Sequence, residues 1–405
     1  MWGMKMKAKI YFVLFILVGV IIGCTKKNSA TAMDDTLYIV DTYQILLLCE
    51  PGTAETGYIE LLAKLKGNGG EVKAVIERFN EIGESIEIKN AVGVAYIRLR
   101  EYDKAQGILE TALGEAQTEE QQACILTNLA AINSLTGFHE EAYDFLVLAE
   151  QKKIDNPIKQ LVLESNLPRA GLEQSDSIVR DIAEVKTLLK KERQLLGSNQ
   201  FIGIYNYTTL GLACFEDDQY KKSKEYMNMA IELNEALYQY KFVAAERYRM
   251  LAEINMNYKD DVKKAFECIN NAIELLEGWE EQEHPDLIQL YLSRGRMYYA
   301  MDQEKEAMKD CEIALARCKP MHDLTATSYL NIGWLDYEKR RDIPAAENLM
   351  KAYYIWNELE ITEFQDLIRE TLETIYHRSE KSDVISFEEW FQDLLNEVKQ
   401  DFLWE

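Results

Sequence analysis

One spacing returns along most of this chain and limits how it can fold. Between Lys89 and Leu113 two helical stretches are joined by a turn at Arg100–Asp103. Val92, Gly93 and Tyr96 share one face of the first stretch, and Ala105, Leu109 and Ala112 share one face of the second. The small residues let two helices come close, and Tyr96 and Leu109 fill the space beside them. Gly93, Tyr96, Ala105, Leu109 and Ala112 can be numbered 8, 11, 20, 24 and 27 of a unit. The same frame then reads Ala130, Asn133, Ala142, Leu146 and Ala149, and next Gly211, Cys214, Ser223, Met227 and Ala230. It continues as Ala252, Asn255, Ala265, Ile269 and Ala272, with one extra residue in the turn. Gly295, Tyr298, Ala307, Cys311 and Ala314 form a fifth copy, and Gly333, Asp336, Ala345, Leu349 and Ala352 a sixth. A lone helix pair cannot bury its apolar face, so the spacing demands a stack of pairs.

These copies resemble the tetratricopeptide repeat, a helix-turn-helix unit of about 34 residues. The resemblance runs from Ile86 to Glu360 and implies an all-α fold, a right-handed superhelical solenoid with helical caps. The expected divisions are 1–23 as a lipoprotein signal peptide, 24–35 as a lipidated tether and 36–85 as an N-terminal helical cap. Residues 86–156 hold copies one and two, 157–200 a degenerate helix pair, 201–360 copies three to six, and 361–405 the C-terminal capping helices. Within the first cap, Thr36–Glu50 and Thr53–Lys66 are expected as helices broken at Pro51-Gly52, followed by a third over Glu71–Gly83. Gly67-Asn68-Gly69-Gly70 is a turn or C-cap, since no Lys-Ser/Thr follows to make a phosphate loop. In the degenerate pair, Leu167–Gly171 is expected to break the helix that starts at Ile158, and the segment is a candidate for a bend. The second helix of that pair carries an apolar stripe of Ile182, Val185, Leu188, Leu189 and Leu196. The last helix presents Phe387, Trp390, Phe391 and Leu394 as a cap on the final repeat.

The first 23 residues place Lys5, Lys7 and Lys9 ahead of an apolar run from Ile10 to Ile22 that is too short to span a bilayer comfortably. The run ends in Ile21-Ile22-Gly23-Cys24, which resembles the bacterial lipobox. That resemblance implies cleavage before Cys24 and acylation of its sulfur and new amino group, a palmitate-type anchor; several acyl chains hold a protein on a membrane where one is marginal. Thr25 stands where an inner-membrane retention aspartate would be, and the following residues are basic. The expected location is therefore the cell envelope, at the outer membrane and facing the periplasm.

Net charge is −24 and becomes more negative once the lysine-bearing leader is removed. Such a surface repels nucleic acid, so no nucleic-acid partner is expected. Apolar residues make up 47% of the chain, enough for a core, and only 6 prolines interrupt it. Apart from Cys24, the cysteines are Cys49, Cys124, Cys214, Cys268, Cys311 and Cys318, with no Cys-x-x-Cys pair. Cys311 and Cys318 are about 10 Å apart along one helix, beyond disulfide reach. The remaining thiols read as small buried groups, with long-range pairing left open.

The chain contains no His-Glu-x-x-His, Gly-x-Ser-x-Gly, Walker or dinucleotide motif, and His139, His284, His322 and His377 are scattered over separate repeats. No catalytic residue, metal site or cofactor is expected, which leaves binding. In proteins that carry the repeat, positions 2, 5, 9 and 12 of each first helix line a concave groove. Carried over, the frame offers Tyr205, Thr208, Leu212 and Phe215 in copy three, and Glu246, Arg249, Glu253 and Met256 in copy four. Copy five offers Gln289, Leu292, Arg296 and Tyr299, and copy six Thr327, Leu330, Trp334 and Tyr337. The expected partner-binding set is Tyr205, Thr208, Phe215, Arg249, Glu253, Arg296, Tyr299, Trp334 and Tyr337, because aromatic and arginine side chains make hot spots. A carboxylate clamp known in one subfamily is incomplete: Asn128 matches it, but Asn90, Val94 and Thr209 replace its other members. The sequence thus points to a membrane-anchored scaffold or assembly factor for an unidentified protein or peptide. A glycan-binding lipoprotein of a nutrient-uptake system is the alternative, weakened by the absence of long insertions.

Overall fold

The computed structural model describes residues 37–40, 43–46, 61, 64–65, 67–172, 178–198, 201–237, 240–257, 262–362 and 364–402. The expected leader, Cys24 and the expected tether lie outside these residues, as do Cys49 and most of the expected helix Thr53–Lys66. The chain divides into two compact units, Met1–Glu281 and Gln282–Glu405. The boundary falls after copy four rather than in the 157–200 segment.

Unit 1 opens with two short strands, β1 (Leu37–Val40) and β2 (Tyr43–Leu46), paired antiparallel with Tyr38 opposite Ile45. This corrects the expected helix over Thr36–Glu50. The stretch is rich in β-branched and aromatic residues around Asp41-Thr42, a hairpin signal that a short apolar run hides from periodicity. Helix α1 (Gly69–Ile82) follows, with Asn68 as its N-cap: the Asn68 side chain accepts from the Glu71 N–H, and the Glu71 carboxylate accepts from the Asn68 N–H. The glycine-rich stretch is a turn, as expected, with the Gly67 N–H donating to the Lys64 carbonyl at 2.9 Å, and it also starts a helix.

The pairs then come in order. Copy one is α2 (Ile86–Arg98) with α3 (Tyr102–Glu115), and copy two is α4 (Glu119–Leu135) with α5 (His139–Glu150). The intermediate pair is α6 (Pro157–Leu172) with α7 (Ile178–Leu196). Copy three is α8 (Phe201–Glu216) with α9 (Tyr220–Leu237), and copy four α10 (Lys241–Asn257) with α11 (Val262–Leu276). Helix α6 continues through Pro168, where the sequence leads one to expect a break. An interior proline costs about 3 kcal/mol; here it lies within a stretch in which Leu161, Val162, Leu163, Pro168 and Ala170 are all buried. The Val185–Leu188–Leu189 stripe of α7 is likewise buried, with Val185 and Leu189 packed on Leu210 of α8.

Unit 2 contains copy five, α12 (Pro285–Ala300) with α13 (Glu304–Arg317), and copy six, α14 (Asp323–Glu338) with α15 (Asp342–Glu358). Helix α16 (Gln365–Arg378) and helix α17 (Phe387–Phe402) close it, α17 packing on α15 with Phe391, Leu394 and Val398 buried. No helix among the described residues is long and apolar enough to cross a membrane.

The repeat frame is a packing rule in both units. Positions 20 and 27 are fully buried in every copy, from Ala105 and Ala112 to Ala345 and Ala352. A β-carbon on Gly93 would lie 2.6 Å from Leu109 Cγ, and one on Gly333 2.9 Å from Leu349 Cγ. Position 8 is therefore small because position 24 occupies its space. Each described turn between paired helices carries one left-handed residue at position 15: Arg100, Gly137, Asp218, Asp302 and Arg340, with φ between 56° and 88°. The next residue's N–H then reaches back five residues to a carbonyl, as from Glu101 to Tyr96 at 3.0 Å and from Gln303 to Tyr298 at 2.9 Å. This closes the helix end by a Schellman turn.

Candidate functional site: the inner helical faces

The first helices of successive pairs lie side by side within each unit, α2, α4, α6 and α8 in unit 1 and α12 with α14 in unit 2. They form the inner face that the frame assigns to binding. The two units differ in what this face presents.

In unit 1 the face is polar but closed. Asn128 Nδ2 donates to Asn90 Oδ1 at 2.8 Å, and both side chains are fully buried. The residue that matches the carboxylate clamp therefore uses its amide inside the stack. Asn206 Nδ2 donates to Ser165 Oγ at 3.3 Å, and Arg247 Nε donates to Thr208 Oγ1 at 3.1 Å. Thr208 itself donates to the Ile204 carbonyl at 2.8 Å. Tyr205 is fully buried. Arg249 donates to Glu246 and to Glu253, each at 2.8 Å, and the three side chains form a buried charged triad along α10. Phe215 is half-buried and meets Tyr220 edge-on at 5.6 Å between ring centres. Of the five expected groove residues in this unit, only Phe215 retains substantial exposure.

The first and last repeats of unit 1 meet. Gly278 ends α11 with φ 75°, and the chain turns back there. Glu280 takes the Gly69 N–H at the start of α1, at 2.8 Å, and pairs with the Arg98 guanidinium. A carboxylate at a helix N-terminus satisfies donors that the helix cannot. Arg98 also lies 4.9 Å over the Phe242 ring, and Phe242 stacks on Trp279 at 5.8 Å. Beside this, Lys73 pairs with Glu281 at 2.5 Å. None of it was expected, because contacts between residues so far apart leave no local pattern.

In unit 2 the corresponding face is more open. Arg296, Tyr299, Trp334 and Tyr337 are all half-buried. Trp334 and Tyr337 meet edge to face at 5.7 Å. Arg296 donates to Ser293 Oγ at 3.1 Å, which orients its guanidinium. Tyr299 packs beside the cluster of Ala307, Cys311, Ile332 and Leu335; burial, helped by the Glu338 carboxylate, pushes its hydroxyl up to about 12. It stays neutral and keeps its proton to donate. Tyr337 carries the Arg378 guanidinium 4.7 Å from its ring centre, which joins the face to α16. Among the described residues no group of three histidines, cysteines or carboxylates could hold a metal ion.

No family model matches the chain, and no curated protein matches it. Solved structures do. A tetratricopeptide repeat protein from Parabacteroides merdae is 19% identical over 72% of this chain and 99% of its own, with a TM-score of 0.41. The Cut9–Hcn1 hetero-tetramer of the APC/C matches at 14% identity and a TM-score of 0.53, over 80% of this chain. This chain spans 57% of that structure's length. A Rap protein complexed with competence and sporulation factor matches at 14% identity and a TM-score of 0.51, over 82% of this chain and 89% of its own. Together with the frame and its left-handed turns, the two likenesses with TM-scores above 0.5 define the fold as a tetratricopeptide-repeat solenoid. Within that class, this is a two-unit chain whose first unit carries a β-hairpin on its helices.

Proposed function

We propose that the chain is a non-catalytic binding protein, anchored by acylated Cys24 in the bacterial envelope, that holds a protein or peptide partner as a scaffold or assembly factor. The observation that carries this reading is the inner face of unit 2. It combines Trp334, Tyr337 and Tyr299 with one arginine, half-buried on rigid helices, and such side chains give large contact area for little lost freedom. The Rap protein of like fold is complexed with competence and sporulation factor, which supports a binding role for a solenoid of this kind. The lipobox-like Ile21–Cys24 motivates the anchor, and Thr25 with the basic residues after it motivates the outer-membrane, periplasm-facing location.

The test is in-cell crosslinking and affinity capture of the full-length lipidated chain. Recovery of one or two envelope proteins is expected, and their loss in the Arg296→Ala/Trp334→Ala variant, with helical circular dichroism unchanged. Equal recovery by the double variant would overturn the site. Recovery of no protein, with heat of binding to oligosaccharides, would overturn the scaffold reading in favour of a glycan ligand.

A further inference from the structure

We infer that the inner face of unit 1 is a second binding surface, occupied by the chain's own hairpin, and that the partner it fits is an extended, uncharged β-strand segment that takes the hairpin's place. The inference rests on reading these repeats as binding surfaces, but it concerns a different face from that of Trp334 and Arg296.

The placement comes first. Strand β2 lies against α4 and α6 and reaches α8, each the first helix of its pair. The hairpin therefore sits on the layer that lines the groove in this fold. The burial agrees. Positions 2, 5, 9 and 12 of copy two are Cys124, Thr127, Ala131 and Ser134, and none is more than 3% exposed. In copies five and six, six of the eight equivalent residues (Gln289, Arg296, Tyr299, Leu330, Trp334 and Tyr337) remain half-exposed.

The chemistry of the face says what it takes. Cys124, Thr127, Ala131 and Ser134 are small and uncharged, so they offer a low surface rather than deep side-chain pockets. Thr127 Oγ1 already donates to the Ala123 carbonyl at 2.8 Å and asks nothing of an occupant. This flat, uncharged strip of α4 suits a broad backbone ribbon. The strands LYIV and YQIL carry no charge and one polar residue, Gln44. Two four-residue strands are marginal in water on their own. The hairpin thus takes its shape from the face it covers, and its covalent link gives it a high local concentration there. Any partner must first displace it. If the hairpin is seated for about 90–99% of the time, a competing segment binds about 10- to 100-fold more weakly than to the bare face.

The experiment uses the full chain. Tyr38→Pro/Ile45→Pro removes backbone donors and fixes dihedrals at an opposed pair. The probe is a synthetic peptide of residues 36–47. Cys124 labelling by a maleimide, read peptide by peptide, reports the face. The variant is expected to keep its helical circular dichroism, to label Cys124 at least about tenfold faster than wild type, and to regain protection when the peptide is added. Wild type is expected to bind the peptide at least about tenfold more weakly. Unchanged Cys124 protection, failure of the peptide to restore it, or equal binding by both chains would each overturn the inference. Loss of helicity in the variant would show the hairpin to be a fixed part of the core, and would overturn it too. Hydrogen exchange of wild type decides independently: the β1 and β2 amides should open well before those of α4, and exchange only on global unfolding would sink the idea. Capture through Arg296 and Trp334 stands or falls separately.

Discussion

Arg98 and Glu280 are 182 residues apart in sequence and meet with neither side chain exposed. The pair joins the end of α2 to the residue that also caps α1. Breaking one side of a buried ion pair leaves a charge in a dry place, at about 3–5 kcal/mol. Glu280→Gln should therefore lower the stability of unit 1 by about that amount, read as faster hydrogen exchange in both α2 and α11. Arg98→Met/Glu280→Leu should recover much of the loss, because apolar replacement of both partners removes the stranded charge. A double variant no better than the single would show that the Gly69 N–H contact matters more than the pair.

The glycine at position 8 can be separated from helix propensity. Gly107, on α3, has open space around it, so Gly107→Ala should stabilise by about 0.5–1 kcal/mol. Gly93→Ala puts a methyl 2.6 Å from Leu109 Cγ, and Gly333→Ala puts one 2.9 Å from Leu349 Cγ. Both should destabilise, by about 1–3 kcal/mol, since overpacking outweighs the propensity gain. Urea midpoints of the three variants check the signs.

Arg340 holds φ at 60° in the turn of copy six, a conformation that costs a side-chain-bearing residue about 1 kcal/mol. Arg340 is exposed, so Arg340→Gly should raise the melting temperature of unit 2 by a few degrees. A fall would mean that the arginine side chain contributes more than its strained backbone costs.

Cys124, Cys214, Cys268, Cys311 and Cys318 are not in disulfides. Burial pushes the Cys311 thiol up to about 12 and raises Cys318 as well, although the latter is half-exposed. The thiolate is the reactive form, so Cys311 should resist alkylation at pH 8 until the chain unfolds, and Cys318 should react first. Since a raised value means the proton is held, raising pH from 7 to 9 should increase Cys318 labelling in the native protein and leave Cys311 silent.

Cys24→Ala tests the proposed anchor. The variant should leave the membrane pellet after a carbonate wash. Retention in the pellet would refute lipidation at this residue.

The sequence made the paired helices readable because small residues at positions 8, 20 and 27 are fixed by direct contact, as between Gly93 and Leu109. It did not reveal position 15 as left-handed, because Arg100, Asp218, Asp302 and Arg340 are not the glycines that such a backbone invites. The turn is imposed by the packed helices on either side of it. The hairpin is not legible in the sequence because LYIVDTYQIL is too short for its period to separate strand from helix. Of the expected groove residues, the frame alone places Arg296, Trp334 and Tyr337 on first helices, and all three are half-buried there. The burial of Tyr205, Thr208 and Arg249 was not, since it depends on contacts between elements far apart in sequence, such as Arg247 on Thr208.

The meeting of Arg98 with Glu280 also changes how unit 1 can be born. A row of repeats can ordinarily fold from any point and spread to its neighbours, each new pair adding only local contacts. Here the first repeat is not complete until the last has emerged from the ribosome. Until then Arg98 and the open end of α1 have no Glu280, and the early repeats form a provisional assembly. Unit 1 should therefore gain its resistance to proteolysis abruptly, near the end of its own synthesis, instead of repeat by repeat.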